Sequence, residues 1–239
     1  MGVVAQNLDL ILVPSGLLIM FTYDLYLLYR VLKYPSTTAI GYENRNWMAW
    51  VERMMQGDLS YVSLAISVLS NSITGSIYLA SFCLSFFAFI GVWVGSSSSN
   101  AVNVVFILGN TTQANISLKN ISMLVTFMLA FGAFIQSVRY FVQANSLISM
   151  PNKDVPVSYV QRLVLRGNNF WQVGLRVVYF AMAFLFWSFG PIPMFASCVV
   201  MVICLYFLDT NKEPLHLFRP LVEPPLTKVV QEVVAVARA

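Results

Sequence analysis

Residues 62–94 read VSLAISVLSNSITGSIYLASFCLSFFAFIGVWV, with no Asp, Glu, Lys or Arg anywhere in the run. A helix rises about 1.5 Å per residue, so about 20 apolar residues cross the hydrocarbon core of a bilayer. This stretch exceeds that length and must tilt or project. Comparable apolar runs occupy about Leu8 to Leu32, Ile116 to Gln143 and Leu175 to Leu208. The 239-residue chain is 58% hydrophobic and 10% charged, with a mean hydropathy of +0.73. A soluble domain carries about 25% charged residues. The expected fold class is therefore an all-α polytopic membrane protein. Four transmembrane helices form one domain over residues 1–210, and residues 211–239 form a Pro-rich tail with a short terminal helix. Gly190-Pro191-Ile192-Pro193 is expected to kink the fourth span or split it into half-helices.

Charge sets the orientation. Arg30, Lys33, Arg45 and Arg53 fall in the first connection, and Arg139, Lys153, Arg162, Arg166 and Arg176 in the third. The second has Lys119 alone. The first and third connections are thus expected in the cytosol, the second in a lumen, and both termini on the luminal or extracellular side. The sequons agree independently. Asn110-Thr111-Thr112, Asn115-Ile116-Ser117 and Asn120-Ile121-Ser122 all lie in the second connection, and such sites are glycosylated only in a secretory lumen or outside the cell. Sequons do not separate the endoplasmic reticulum from the plasma membrane. Lys212, Arg219, Lys228 and Arg238 in the tail point mildly the other way. A split fourth segment that re-enters would move the tail to the cytosol.

The cytosolic connections look ordered. Asn46 to Gln56 sets Trp47, Trp50, Val51, Met54 and Met55 on one side of a helix, and Ser158 to Arg166 forms a second short helix. Both read as interfacial helices with aromatic anchors, serving either headgroup anchoring or lipid and partner sensing.

The sharpest pattern lies inside the second span. Ser60, Ser63, Ser67, Ser70, Thr74, Ser81 and Ser85 recur at steps of three and four with one step of seven, and Asn71 sits beside them. That is one stripe on a helix. Hydroxyls there either line water and partly hydrated ions or let helices approach closely and bond across the interface. On the first reading Ser63, Ser67, Ser70, Asn71, Thr74 and Ser81 line a pore. Asp58 precedes the stripe, and as a helix cap it needs no other explanation. In a symmetric oligomer the same residue, with Glu52, would form a cation-attracting mouth. Four helices are too few to enclose a pore, so this reading requires a symmetric homo-oligomer. Asp24, within the first span, is an intramembrane carboxylate that needs a partner or a water-filled cavity. Arg139, Arg176 and Gln136 are candidates by depth.

Other classes lack their signatures. There is no HExxH, GxSxG or Walker loop, and His216 is the only histidine. No enzyme, cofactor or metal site is expected. The net charge of +4 is spread over the loops, without a nucleic-acid patch. Cys83, Cys198 and Cys204 lie in apolar segments as expected buried hydrophobes. Beside the channel stand two rivals: a non-conducting scaffold or signalling adaptor, and a transporter hinged at Gly190 to Pro193.

Residues scattered over about Tyr23 to Asp209 carry a resemblance. They include Tyr34-Pro35-Ser36-Thr37-Thr38, Gly41, Asn44-Arg45, Trp47 and Met54-Met55. Arg139-Tyr140-Phe141, Asn145, Pro156 to Tyr159, Gly174, Arg176, Trp187-Ser188-Phe189-Gly190-Pro191, Leu205-Tyr206 and Leu208-Asp209 complete the set. In these the chain resembles a plant family of small membrane proteins known as domain of unknown function 599. It also looks like a plant endoplasmic-reticulum protein regarded as a pentameric calcium-permeable cation channel in defence. That likeness implies a homopentamer, with calcium and other cations as permeating ions; no pore residue is carried over from it.

Overall fold

The break at Gly190-Pro191 divides what reads as one long last span into two helices. In the computed structural model Gly190 has φ 140°, a left-handed conformation that only glycine adopts without strain. Pro191 then opens the next helix at a position where its missing N–H is no loss. Residues 2–57, 59–97, 113–150 and 155–211 are described. They form α1 (Gly2–Lys33), a 3-10 turn (Pro35–Thr37), α2 (Ala39–Gln56), α3 (Leu59–Ser97), α4 (Gln113–Ile148), α5 (Val157–Trp187) and α6 (Pro191–Asp209). The expected tail helix and His216 lie outside the described residues.

Five of these helices carry stretches long and apolar enough to cross a membrane: Asp9–Lys33, Ser60–Val94, Asn115–Ile148, Val157–Trp187 and Pro191–Asp209. The expectation of four is corrected at two points. The short helix expected over Ser158 to Arg166 is the first part of α5, which runs unbroken to Trp187. Gly167-Asn168-Asn169 looks like a break in sequence. Within the fold each of those residues is supported. A Cβ on Gly167 would come within 3.0 Å of the Phe141 ring, so glycine lets α5 approach α4. Asn168 donates to Asn44 at 3.0 Å, and Asn44 donates to Asn169 at 3.1 Å. The second correction is the segment over Leu175 to Leu208, which belongs half to α5 and half to α6.

The helices pack in the order α3, α4, α5, α6, α1, with α2 laid across α5 at one end. Three apolar clusters hold them. Val51 and Met54 of α2 meet Ala65, Leu69, Phe141 and Val164; Phe127, Phe134 and Cys83 form a second centre; Met20, Met194 and Cys198 form a third. Trp47 and Trp50 are partly buried and pack against the first centre. Thr38 caps α2 by accepting from Gly41 N at 3.3 Å. Cys83 and Cys198 are buried as expected, but Cys204 is exposed on the outer face of α6.

α1 and α6 run parallel. Asp9 meets Trp187, just before α6, while Tyr23 meets Asp209 at its end. Beyond them Thr38 and Thr210 form an antiparallel bridge, and Asn211 N donates to Thr37 O at 3.3 Å. The amino-terminal end of α1 and the carboxy-terminal end of α6 therefore lie at opposite ends of the bundle. Four antiparallel spans, with both termini on one side, would have placed them at the same end.

Candidate functional site

α3 carries hydroxyls on two faces, and the two faces are used differently. Toward the bundle, Ser76 is fully buried and lies 3.4 Å from the Ser137 hydroxyl of α4. Ser137 in turn donates to Gly167 O of α5 at 2.8 Å. This relay joins three helices and is the packing use of membrane hydroxyls. At about 100° per residue the expected stripe falls roughly opposite. Ser63, Ser67, Asn71, Thr74, Ser81 and Ser85 are exposed, and Ser70 is half-buried. None of them makes the close helix–helix seam within the protomer that the buried relay makes. Ser63 donates to Ser60 O at 2.8 Å, Thr74 to Ser70 O at 2.9 Å and Ser85 to Ser81 O at 2.8 Å. Those back-bonds satisfy the hydroxyl protons and leave oxygen lone pairs pointing outward. Large apolar side chains flank the stripe, among them Leu64, Tyr78 and Phe82.

Glu52 is exposed near the end of α2, ahead of the stripe. Asp58, its expected companion at the mouth, lies outside the described residues, as does Asn110. Asn115 and Asn120 are half-buried in the first turns of α4.

The intramembrane carboxylate is not alone. Asp24 Oδ1 lies 3.9 Å from Arg176 Nη1. Arg176 Nη2 also pairs closely with Asp209 Oδ1, and Tyr23 Oη donates to Asp209 Oδ2 at 2.7 Å. One guanidinium thus ties α1, α5 and α6 together. Of the three candidates by depth, Arg176 is the one that reaches Asp24, whereas Arg139 is exposed on α4. The sequence reading missed Asp209. Its signal was an acid closing an apolar run, which reads equally well as a helix end. Arg176 and Asp209 also line a cleft of about 180 Å³, together with Glu43, Gln172 and Tyr179.

A second buried cluster occupies the opposite end of the bundle. Lys119 is only 6% exposed, and its Nζ sits 5.4 Å from the centre of the Trp187 ring. Trp187 Nε1 donates to Asp9 Oδ1 at 3.4 Å, and the Asp9 carboxylate acts on Lys119 through space. Asp9 is 8% exposed, so it does not stand free at the membrane boundary as its sequence position suggests. Lys119 is likewise an interior cation rather than a loop charge.

Several residues that carry the sequence resemblance hold these joints: Thr38, Asn44, Arg176, Trp187, Gly190 and Asp209. No curated protein and no solved structure matches the chain. A family model described as "Protein of unknown function, DUF599" matches residues 11–214. The match begins inside α1 and ends just beyond α6, taking in both intramembrane ion clusters apart from Asp9, and by it the chain belongs to the DUF599 family.

Proposed function

We propose that the protein is a subunit of a symmetric homo-oligomeric, cation-permeable channel in which α3 lines the pathway. The observation that carries this reading is the outward face of α3. A membrane helix that has already spent Ser76 on internal packing still presents Ser63, Ser67, Thr74 and Ser81 away from its own bundle, while Asn71, expected beside them, borders the cleft toward α2 and α5. Facing hydrocarbon, such a stripe would waste its polar atoms. Facing other copies of itself around an axis, it offers hydroxyl oxygens to partly hydrated cations. Glu52 and Asp58 supply negative charge at the entry to that path. Calcium is one permeating ion, a homopentamer is the assembly, and the endoplasmic reticulum of a plant cell engaged in defence is the setting. These last elements rest on the likeness given above.

Five crossings, rather than four, accompany this reading. The loop carrying Asn110 is luminal, the 3-10 turn and α2 are cytosolic, and the tail after Asp209 leaves on the cytosolic side. Lys212, Arg219, Lys228 and Arg238 then obey the charge rule that they violate with four crossings.

The test is planar-bilayer recording of the purified protein in asymmetric potassium and calcium chloride. Discrete steps that reverse on the cation side are expected. Replacing Ser67 and Ser70 together with Leu should abolish them while the oligomer still assembles. Unchanged conductance in that double variant refutes the assignment of α3.

A further inference from the structure

A cleft of about 450 Å³ opens between α2, α3, α4 and α5. That volume lies within the range of small-molecule sites, about 300–1,000 Å³. Its lining is rich in aromatic side chains, with the Trp47 indole from α2, the Trp171 indole from α5 and Phe141 of α4. The rings are fixed by packing. Trp47 stands edge-on to Trp50 at 5.2 Å and tilted to Phe141 at 6.3 Å, and Trp171 stands edge-on to Phe134 at 5.7 Å. Among the described residues, Glu43 is the only ionisable one lining the cleft. Gln172 Nε2 donates to Glu43 Oε2 at 2.9 Å and orients the carboxylate. Asn71, Ser72 and Asn168 add further polar lining.

An anion is repelled from such a place, and a bare metal ion finds one carboxylate and no second charged ligand. A positively charged nitrogen carrying apolar substituents fits on each count. The carboxylate balances its charge, the indoles attract it through their ring quadrupoles, and its carbon groups replace water against apolar walls. We propose that this cleft binds a quaternary or methylated ammonium group, with Glu43, Trp47 and Trp171 as its recognition residues. The cleft lies at the end of the bundle where α1 and α6 also finish, so two sources share this chemistry: a soluble ammonium compound and a choline lipid headgroup. The site stands whether or not α3 lines a pore.

Calorimetric titration of the full-length protein, in a detergent that lacks a choline group, tests it. Tetramethylammonium, dihexanoylphosphatidylcholine and dihexanoylphosphatidylglycerol are the probes, and sodium chloride at equal ionic strength is the blank. Saturable binding of at least one ammonium probe is expected, weakened tenfold or more in Glu43→Gln and in Trp47→Leu. Tighter binding of the phosphatidylcholine identifies a headgroup site, and comparable or tighter binding of tetramethylammonium identifies a soluble ligand. A melting curve of Glu43→Gln matching the parent confirms that the fold survives, and Glu43→Asp should recover part of the affinity if melting falls. Three results overturn the proposal: no heat from either ammonium probe, equal affinity in Glu43→Gln, or equal binding of the phosphatidylglycerol.

Discussion

Removing the Arg176 guanidinium should be the most damaging single change in the ion cluster that joins α1, α5 and α6. The ranking follows from who is left behind. Arg176 and Asp209 are 15% and 9% exposed, while Asp24 is 27% exposed. Arg176→Met keeps most of the side chain's bulk but strands two carboxylates, one of them deeply buried. Breaking a buried pair by removing one partner costs about 3–5 kcal/mol, because an uncompensated charge remains. For a chain of this size that corresponds to a fall of roughly 6–20 °C in melting midpoint. Asp209→Asn leaves Arg176 with Asp24 at 3.9 Å and leaves Tyr23 an amide oxygen to donate to. Its effect should be smaller, about 1–3 kcal/mol. Asp24→Asn leaves the closer Arg176–Asp209 pair intact and removes the more hydrated acid, so its effect should be smallest. The triple change of Arg176→Met, Asp24→Asn and Asp209→Asn leaves no charge stranded and should recover much of the loss, since neutral replacements of a whole buried ion group are often near neutral. The assay is thermal unfolding of purified protein in one detergent at one scan rate, because membrane proteins unfold irreversibly and the midpoint depends on rate. The electrostatic argument is wrong if Asp24→Asn melts below Arg176→Met, or if the triple variant is no better than Arg176→Met alone.

Three further outcomes are expected. Gly167→Val should lower stability by about 1–3 kcal/mol, read by the same melting assay, because its side chain must displace the Phe141 ring that a Cβ alone would approach to 3.0 Å. Glu52→Lys should shift the reversal potential in an ion gradient away from the cation side, and an unmoved potential removes Glu52 from the mouth. An acceptor sequon placed after Asp209 should stay unmodified in microsomes while Asn110 becomes endoglycosidase-sensitive, and a glycosylated tail refutes the odd number of crossings.

How much of this could be read in the chain depends on whether the cause was local. The apolar runs announce themselves because hydrocarbon demands about 20 uncharged residues in succession. The amphipathic character of α2 was also legible, since Trp47, Trp50, Val51 and Met54 recur at helical spacing. Two helix boundaries depend on distant contacts or on one backbone angle. The short helix expected over Ser158 to Arg166 stops just before Gly167-Asn168-Asn169, residues that are satisfied by Ser137, Asn44 and Phe141, each distant in sequence. Gly190-Pro191 left a kink and a split both open because composition cannot say whether the chain continues or turns back; the φ of Gly190 accompanies the split. Asp209 and Asp9 escaped for a third reason. An acid at the edge of an apolar run has a sufficient local explanation in the membrane boundary, and only the parallel packing of α1 on α6 reveals their partners.

The two hydroxyl faces of α3 bear on a question that composition leaves open, namely whether serine in a membrane helix serves packing or water. Within this fold the inward set satisfies the packing criterion fully. Ser76 and Ser137 are inaccessible, bonded across helices, and placed where α3, α4 and α5 converge. The outward set meets none of those conditions inside one chain, although it runs from Ser63 to Ser85 along nearly the whole crossing. A second copy packed against it could bury part of the stripe as a seam. That arrangement favours small residues that let backbones close up, whereas this face is flanked by exposed Leu64, Tyr78, Phe82 and Phe89, which hold a neighbouring helix away. On the proposed channel reading these large side chains, all along one border of the stripe, would meet a neighbouring copy and leave the hydroxyls facing the axis. Among the described residues α3 stands at one edge of the row of helices, packed mainly on α4, and its outer face is where the proposed second copy would sit. In the proposed ring, symmetry would complete what the single chain leaves open, and the number of copies would follow from the angle at which neighbouring α3 helices meet.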